Sequence, residues 1–401
     1  MGLKMGLMRR EIAVCLGMIV VWGTLESNGR CGVRQIQPPR LGEAHLGKKI
    51  LCHRPMRRGS PQLSVERVGD RWIANNYGHG GSGWTLGPAS AQYVIRLLEE
   101  RIKDQPKDTP IAIVGAGALG LFSAIELIER GYTDLTIVAE SFDDLVSHRA
   151  GGLLAPVSMD NDSGMQQVID QMGIEAYRFY HQIALGQHPI FKTGARLLPV
   201  YVQSREDSGL EPYVGKVMRP AEDVTVDFGN GTTREMVVYD DGIFMDTAGL
   251  MNQMKRFLET ASIQDPTGKL KVRMEKRKIR DFQELDQKII VNCTGMGSAD
   301  LNSDQQMVSV QGHLILLQDQ NPEDLNYMVL TYRGEGMTQS GFHVKRSFYI
   351  FPKMNPGAAD SDVGVIGGTF IQGADVETPN EEEFQHVIQG AREFYGLCLS
   401  D

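Results

Sequence analysis

Residues 111–120 read Ile111-Ala-Ile-Val-Gly115-Ala-Gly117-Ala-Leu-Gly120, an apolar helical pattern follows, and the chain then runs Leu135-Thr-Ile-Val-Ala-Glu140. The run Ile111–Val114 predicts a buried parallel strand. Gly115 permits the tight turn after it, Gly117 lets the backbone approach a pyrophosphate, and Gly120 lets the next helix sit close on the strand. Ala118 and Leu119 lie in the first turn of that helix, whose free N–H groups and positive dipole end suit phosphate. Glu140 closes the second strand, where a carboxylate accepts hydrogen bonds from ribose hydroxyls and disfavours a 2′-phosphate. A lone GxGxxG is weak; strand, helix, strand and acid in sequence make a dinucleotide-binding unit the expectation.

The rest of the chain narrows the class. Its 401 residues suffice for about two domains. With 41% hydrophobic and 23% charged residues the composition is that of an ordinary globular protein, and a net charge of −9 gives a nucleic-acid partner no electrostatic support. Five cysteines, at 15, 31, 52, 293 and 398, lie far apart without a CxxC, so neither a disulfide framework nor a metal site is expected, and reducing, cytoplasm-like conditions fit best.

The N-terminus is less regular. Lys4, Arg9 and Arg10 precede the apolar run 12–22, a layout like that of a targeting segment. Glu11 interrupts the flank, no small-x-small cleavage site follows, and the run is short for a membrane span. A targeting or anchoring segment, a packed peripheral element and a gene-start artefact all stay open as readings of this stretch, and residues 26–45 read as irregular linker.

Beyond the linker, 49–52 reads as strand-like and leads into a basic loop, His53–Arg58. A short strand at 70–75 enters the glycine-rich run Gly78-His-Gly80-Gly81-Ser-Gly83-Trp84-Thr85, and an amphipathic helix follows to about 102. Residues 172–185 and 246–261 read as helices, the latter capped by Asp246 or Thr247. Short strands separated by Gly and Asp turns fill 196–245, and further strands are expected at 271–279, 288–294, 308–317, 348–351 and 363–369, before a closing helix at 381–394. The pattern predicts α/β plus α+β: a Rossmann-type dinucleotide domain with an antiparallel-sheet substrate domain.

Several segments resemble the D-amino-acid oxidase and glycine oxidase family of flavoproteins. Ile73–Thr85 is similar to the segment near the C-terminus of that family, and Ile111–Pro156, with His148-Arg-Ala-Gly-Gly-Leu-Leu-Ala-Pro156, to its N-terminal FAD unit. Ile290–Gly295 and Phe348–Pro352 follow in the family's order. The closing segment therefore precedes the GxGxxG, and the chain reads as a circular permutation. Its parts are expected to be an N-terminal extension (1–45), an FAD-binding core including the permuted segment (46–156), a mainly substrate-binding region (157–270), a return to the FAD domain (271–307), and a substrate region with the closing helix (308–401).

The resemblance implies FAD as cofactor, a small amino acid as substrate and molecular oxygen as acceptor; a flavin-dependent amino-acid or amine dehydrogenase with another acceptor and a non-catalytic FAD-binding protein stay open as alternatives. It implies that Arg54, in its Arg-Pro pair, grips the substrate carboxylate through a two-pronged guanidinium, and that the Tyr349 hydroxyl supports the same carboxylate. The Gly81 carbonyl would accept from the substrate amine. Gly80, Gly83, Trp84 and Thr85 would flank the flavin through backbone, and Ser147, His148, Arg149, Gly152 and Leu153 would touch pyrophosphate and flavin. Thr294 and Gly295 would turn beneath the cofactor, and the Ile279 backbone would read adenine. Taken alone, His53–Arg58 reads as a solvated basic loop with Arg57 and Arg58 on the surface, the glycine run as a plain loop, Tyr349 as a strand tyrosine, and His79 as a structural histidine. The family's second active-site tyrosine falls on Lys345; there Lys345 or Arg346 either lines the pocket mouth and favours polar or acidic substrates, or faces solvent.

Overall fold

Ile111–Val114 is a strand buried at every residue because parallel strands flank it on both sides. The computed structural model describes residues 32–398, apart from 157–158, 207, 355–358, 360 and 375; the apolar run at 12–22, Cys15 and Cys31 lie outside the described residues. In chain order the strands are β1 (Gly32–Gln35), β2 (Leu46–Arg57), β3 (Gln62–Val68), β4 (Arg71–Tyr77), β5 (Ile111–Val114), β6 (Asp134–Ala139), β7 (Ala195–Val202), β8 (Glu222–Asp227), β9 (Thr233–Met245), β10 (Lys271–Lys276), β11 (Ile289–Asn292), β12 (Met307–Leu317), β13 (Met328–Met337), β14 (His343–Met354) and β15 (Val363–Gln372). The helices are α1 (Gly83–Arg101), α2 (Ala118–Glu129), α3 (Val146–Arg149), α4 (Ser163–Ala184), α5 (Thr247–Gln264), α6 (Ser298–Leu301) and α7 (Glu381–Tyr395).

Six strands form one sheet in the order β10-β6-β5-β11-β4-β3, parallel except for the edge strand β3. β4 lies directly beside β11, so the strand feeding the glycine-rich run and the strand leading to Thr294 point the same way. The helices that follow β4 and β5 then start at the same end of the sheet. α1 and α2 pack against each other through an edge-on contact of Trp84 with Phe122 at 5.7 Å, and a Cβ at Gly87 would stand 2.8 Å from that phenyl ring. Both helices carry long apolar faces onto the main core.

The other nine strands run in the order β1-β8-β9-β7-β13-β14-β15-β12-β2. This sheet is mixed rather than wholly antiparallel, since β1 runs parallel to β8 and β7 to β13. The expected basic loop at 53–58 is instead the end of β2, a twelve-residue strand paired along β12 from Leu46 opposite Leu317 to Arg57 opposite Met307. Strand pairing removes the option of a solvated loop, and it takes residues 46–57 into the nine-stranded sheet while 62–77 belong to the six-stranded one. Arg57 is half-buried, its Nε donating to Asp304 at 2.8 Å, so only Arg58 keeps the surface position expected of the pair. Part of the expected linker is also strand, β1, held by Arg34 against Asp240 and Glu222. α7 covers the reverse of β12, β14 and β15 with a second core around Phe348, Ile366, Phe384 and Tyr395. Among the described residues no helix is long and apolar enough to cross a membrane.

Candidate active site

A cavity of about 810 Å³ runs from the carboxyl ends of β5, β6 and β11 to the face of the nine-stranded sheet. That volume lies in the range of sites for cofactors and drug-sized ligands, roughly 300–1,000 Å³. Gly80, Gly81, Gly83 and Trp84 line it from the start of α1, and Gly115, Gly117, Ala118 and Leu119 from the start of α2. Ser147 ties the two starts together: its Oγ accepts from the Ala118 N–H at 3.0 Å, and its carbonyl accepts from Trp84 Nε1 at 2.9 Å.

The glycines there are required by geometry. Gly115 has φ +105°, and a Cβ on it would lie 2.4 Å from the Cys293 carbonyl oxygen. A Cβ on Gly83 would meet no atom within 4 Å, so the space it leaves belongs to the cavity. The two helix N-termini add positive dipole ends.

At one end Glu140 lines the cavity with Ile279, and Lys278 Nζ stands 3.3 Å from Glu140 Oε2. Thr294 and Gly295 line the middle, with Gly295 at φ +55° and Thr294 held by Oγ1 donating to Asn292 at 2.8 Å. Ser147 and Arg149 line the loop side, and Arg149 Nε donates to Asp144 at 2.9 Å.

Five expected contact residues lie outside the lining. Thr85 turns inward, donating to the Ala155 carbonyl at 2.9 Å. Gly120 packs on the first turn, where a Cβ would sit 1.9 Å from the Gly115 carbonyl oxygen. His148 caps α3, its Nδ1 accepting from the Leu145 N–H at 3.1 Å. Gly152, at φ +101°, accepts from the Met245 N–H at 2.7 Å, and Leu153 bridges to Phe244. These residues shape the frame of the site without facing its space.

The opposite end carries the cation. Arg54 on β2 reaches over β12, its Nη1 donating to the Thr369 carbonyl on β15 at 3.0 Å and its guanidinium standing near the Tyr349 side chain from β14. The path is open because β12 carries Gly312 there: a Cβ would lie 2.8 Å from Arg54 Nη1 and 2.9 Å from the Cys52 sulfur. Gly367 does the same for Tyr349, where a Cβ would stand 2.6 Å from the phenol ring. Tyr349 stacks on Phe351 at 4.8 Å. Burial pushes its phenol up to about 12, with Arg54 pulling the other way, so it stays a neutral donor at physiological pH. Among the described residues no carboxylate pairs with Arg54.

Lys345 is exposed and stands 3.5 Å from Glu335, and Arg346 forms a two-pronged pair with buried Glu383, at 2.8 and 2.5 Å. Neither lines the cavity, so the reading that puts one of them at the pocket mouth gives way to the solvent-facing one for Lys345 and to an internal ion pair for Arg346. Burial holds the His79 imidazole down to about 3, so it is neutral at physiological pH, and its ring nitrogens are sealed from solvent although the residue lines the cavity. Gly312 and Gly367 escape sequence reading because each lies inside an otherwise ordinary strand.

The comparisons with known proteins agree with this geometry. A family model described as FAD dependent oxidoreductase matches residues 110–398. A D-amino-acid oxidase of Streptomyces coelicolor is 24% identical over 294 residues, covering 71% of this chain and 78% of that protein. One from Dictyostelium discoideum is 23% identical over 216 residues, 52% of this chain and 57% of that protein. The solved glycine oxidase of Bacillus cereus superposes with a TM-score of 0.51 at 17% identity, over 71% of this chain and 79% of that one, and shares the fold. A Rossmann-type unit, two glycine-lined helix starts on one cavity and a family match over most of the chain lead to one conclusion: this protein belongs to the DAO family of FAD-dependent oxidoreductases, and its cofactor is FAD.

Proposed function

We propose that the protein is an oxidase that deaminates a small amino acid, of D- or glycine type, to an imine that hydrolyses to an oxo acid and ammonia, with molecular oxygen reduced to hydrogen peroxide. The observation that carries this reading is Arg54: a guanidinium in the cavity, beside the Tyr349 hydroxyl, with no carboxylate partner among the described residues. Such a group calls for an anionic ligand. The relatives named as D-amino-acid oxidases and the shared glycine oxidase fold support an amino-acid carboxylate in that role.

The residues present fit FAD. Glycines at 115 and 117 clear the approach to a pyrophosphate, the N-terminus of α2 would meet its charge and that of α1 would face the flavin, and Glu140 lines the end where a ribose would lie. When bound, FAD supplies the two-electron acceptor for the reaction. The chain's own contribution is placement: Arg54 fixes position and tilt of the substrate carboxylate, Tyr349 donates to it, and the Gly81 carbonyl accepts from the amine. No side-chain base is assigned, since orientation of the reacting carbon is the larger demand.

We also infer that the chain is a permuted member of its family. The family match begins at 110, yet residues 46–101 supply Arg54, β4 and α1 to the same sheets and cavity. The two ends of the fold lie together, Arg392 in α7 donating to the Leu41 carbonyl at 2.8 Å, which supports a cut and rejoining there. On this reading the six-stranded sheet with its helices serves the cofactor and the nine-stranded sheet the substrate.

The direct test is anaerobic addition of D-amino acids, glycine and sarcosine to the FAD-loaded protein. Loss of the flavin's visible absorbance is expected with at least one of them, and peroxide is expected on admitting air. No bleaching with any carboxylate-bearing amine would reject the reading; bleaching without peroxide would replace oxygen by another acceptor. Gly312→Val offers a sharper check on the anchor. Its side chain displaces the guanidinium, so kcat/KM is expected to fall by roughly 10²-fold with FAD content unchanged.

A further inference from the structure

The strand that carries Tyr349 also carries a buried ammonium. Residues 349, 351 and 353 share one face of β14. Tyr349 faces the cavity, the Phe351 ring closes on Gly151 (a Cβ there would be 2.7 Å from it), and Lys353 is 4% exposed. Lys353 Nζ donates to the carbonyls of His148 at 2.9 Å and Ala150 at 2.8 Å, and to Thr247 Oγ1 at 2.6 Å. Those carbonyls belong to the loop whose Ser147 holds both helix starts and whose Arg149 and Ala150 line the cavity. All three acceptors are neutral, and among the described residues no carboxylate makes an ion pair with Lys353.

We propose that Lys353 is a positioning residue for the cofactor: it pins the 147–151 loop to β14, and its only partly compensated positive charge is met by the anionic dinucleotide when that binds. The proposal rests on the cavity being the FAD site. A buried cation without a counter-ion is costly, and a nearby anion relieves that cost on binding. Among the described residues no group nearby does so in full. Asp246, at the start of α5, spends a carboxylate oxygen on the Gly249 N–H at 3.1 Å and only partly offsets the burial. Arg196 on β7 adds further positive charge nearby, its Nη2 3.4 Å from the Pro352 carbonyl. The His148 ring, shifted down by burial, stays neutral, and Arg149 is paired with Asp144.

Burial holds the Lys353 ammonium down at about 8, with Asp246 opposing. An anionic cofactor stabilises the protonated form and raises that value, so binding takes up a proton. FAD affinity is therefore full below about pH 8 and declines as pH rises above it. The experiment titrates the FAD-free protein with FAD, followed by flavin fluorescence, near pH 7 and near pH 9. Proton uptake is read by calorimetry in two buffers of different ionisation heat. The wild-type Kd is expected to rise roughly tenfold between those pH values, with proton uptake near pH 8. Lys353→Met is expected to bind FAD roughly tenfold more weakly near pH 7 and without the alkaline decline, whereas Lys353→Arg keeps its charge and also shows no decline. A flat wild-type profile, or a Lys353→Met profile that still declines like the wild type's, overturns the proposal. If Lys353→Met does not fold, the wild-type and Lys353→Arg profiles decide. Failure of the wild type to bind FAD at any pH would instead strike the cofactor site itself.

Discussion

Replacing Arg54 with alanine is expected to raise the substrate KM by roughly 10²-fold or more, because truncating one partner of a buried, hydrogen-bonded charge pair costs about 2–5 kcal/mol and each ~1.4 kcal/mol is a factor of ten. FAD should stay bound at full stoichiometry. Arg54 stands at the nine-stranded sheet's end of the cavity, reaching across β12 to Thr369 and Tyr349, and makes no contact with the glycine turns at 115–120. Arg54→Lys is expected to recover only part of the loss. A lysine keeps the charge but is a point donor without a planar fork, so it cannot fix the tilt of a carboxylate. The measurement is steady-state KM for the best amino acid of the panel, with the flavin-to-protein absorbance ratio as control. An unchanged KM with intact flavin would remove Arg54 from the substrate site; a joint loss of flavin and activity would make it a structural residue.

The two ends of the cavity differ in how far sequence reveals them. The Gly115–Gly120 turn is legible because local sterics dictate it: a left-handed φ at Gly115 and a near-contact at Gly120 each exclude a side chain within five residues of one another. The α5 cap was legible for the same reason, with Asp246 accepting from the Gly249 N–H. The anchor end is built by pairing between distant strands. Arg54 meets Thr369 and Tyr349 across sequence separations that no period encodes, and only family resemblance singles it out. Local reading made His53–Arg58 a solvated loop because cations there look unpaired; β12 supplies the pairing from 250 residues away. β3 and β13 escape the same way, their alternation diluted by exposed charged residues in both and by two glycines in β13. Lys353 is the extreme case, since a lysine after Phe-Pro has every local reason to be solvated and is buried only because the 148–150 carbonyls arrive to receive it.

Gly120→Ala and Gly117→Ala should separate folding from binding, though the two substitutions lie three residues apart in one motif. At Gly120 the added Cβ would lie 1.9 Å from the Gly115 carbonyl oxygen and 2.9 Å from its carbon, both backbone atoms of a turn fixed by the Gly115 N–H donating to Val138 at 2.9 Å. Relief requires α2 to lift from β5, which breaks the packing of Leu121, Ala124 and Ile125. Overpacking of that kind costs on the order of 3 kcal/mol. Gly120→Ala is therefore expected to lower Tm even without FAD, or to give insoluble protein. At Gly117 the nearest atom to an added Cβ is Ser147 Oγ at 3.2 Å, the end of a rotatable side chain, and the other side is the cavity. Gly117→Ala should thus fold with a Tm near that of the FAD-free wild type. The methyl group would occupy the space a pyrophosphate needs and weaken FAD binding by roughly tenfold or more, at least ~1.4 kcal/mol. Thermal melts with and without FAD, together with FAD titration, read both effects. If Gly117→Ala binds FAD as tightly as the wild type, the dinucleotide does not cross the start of α2, and the assignment of that helix end to phosphate fails.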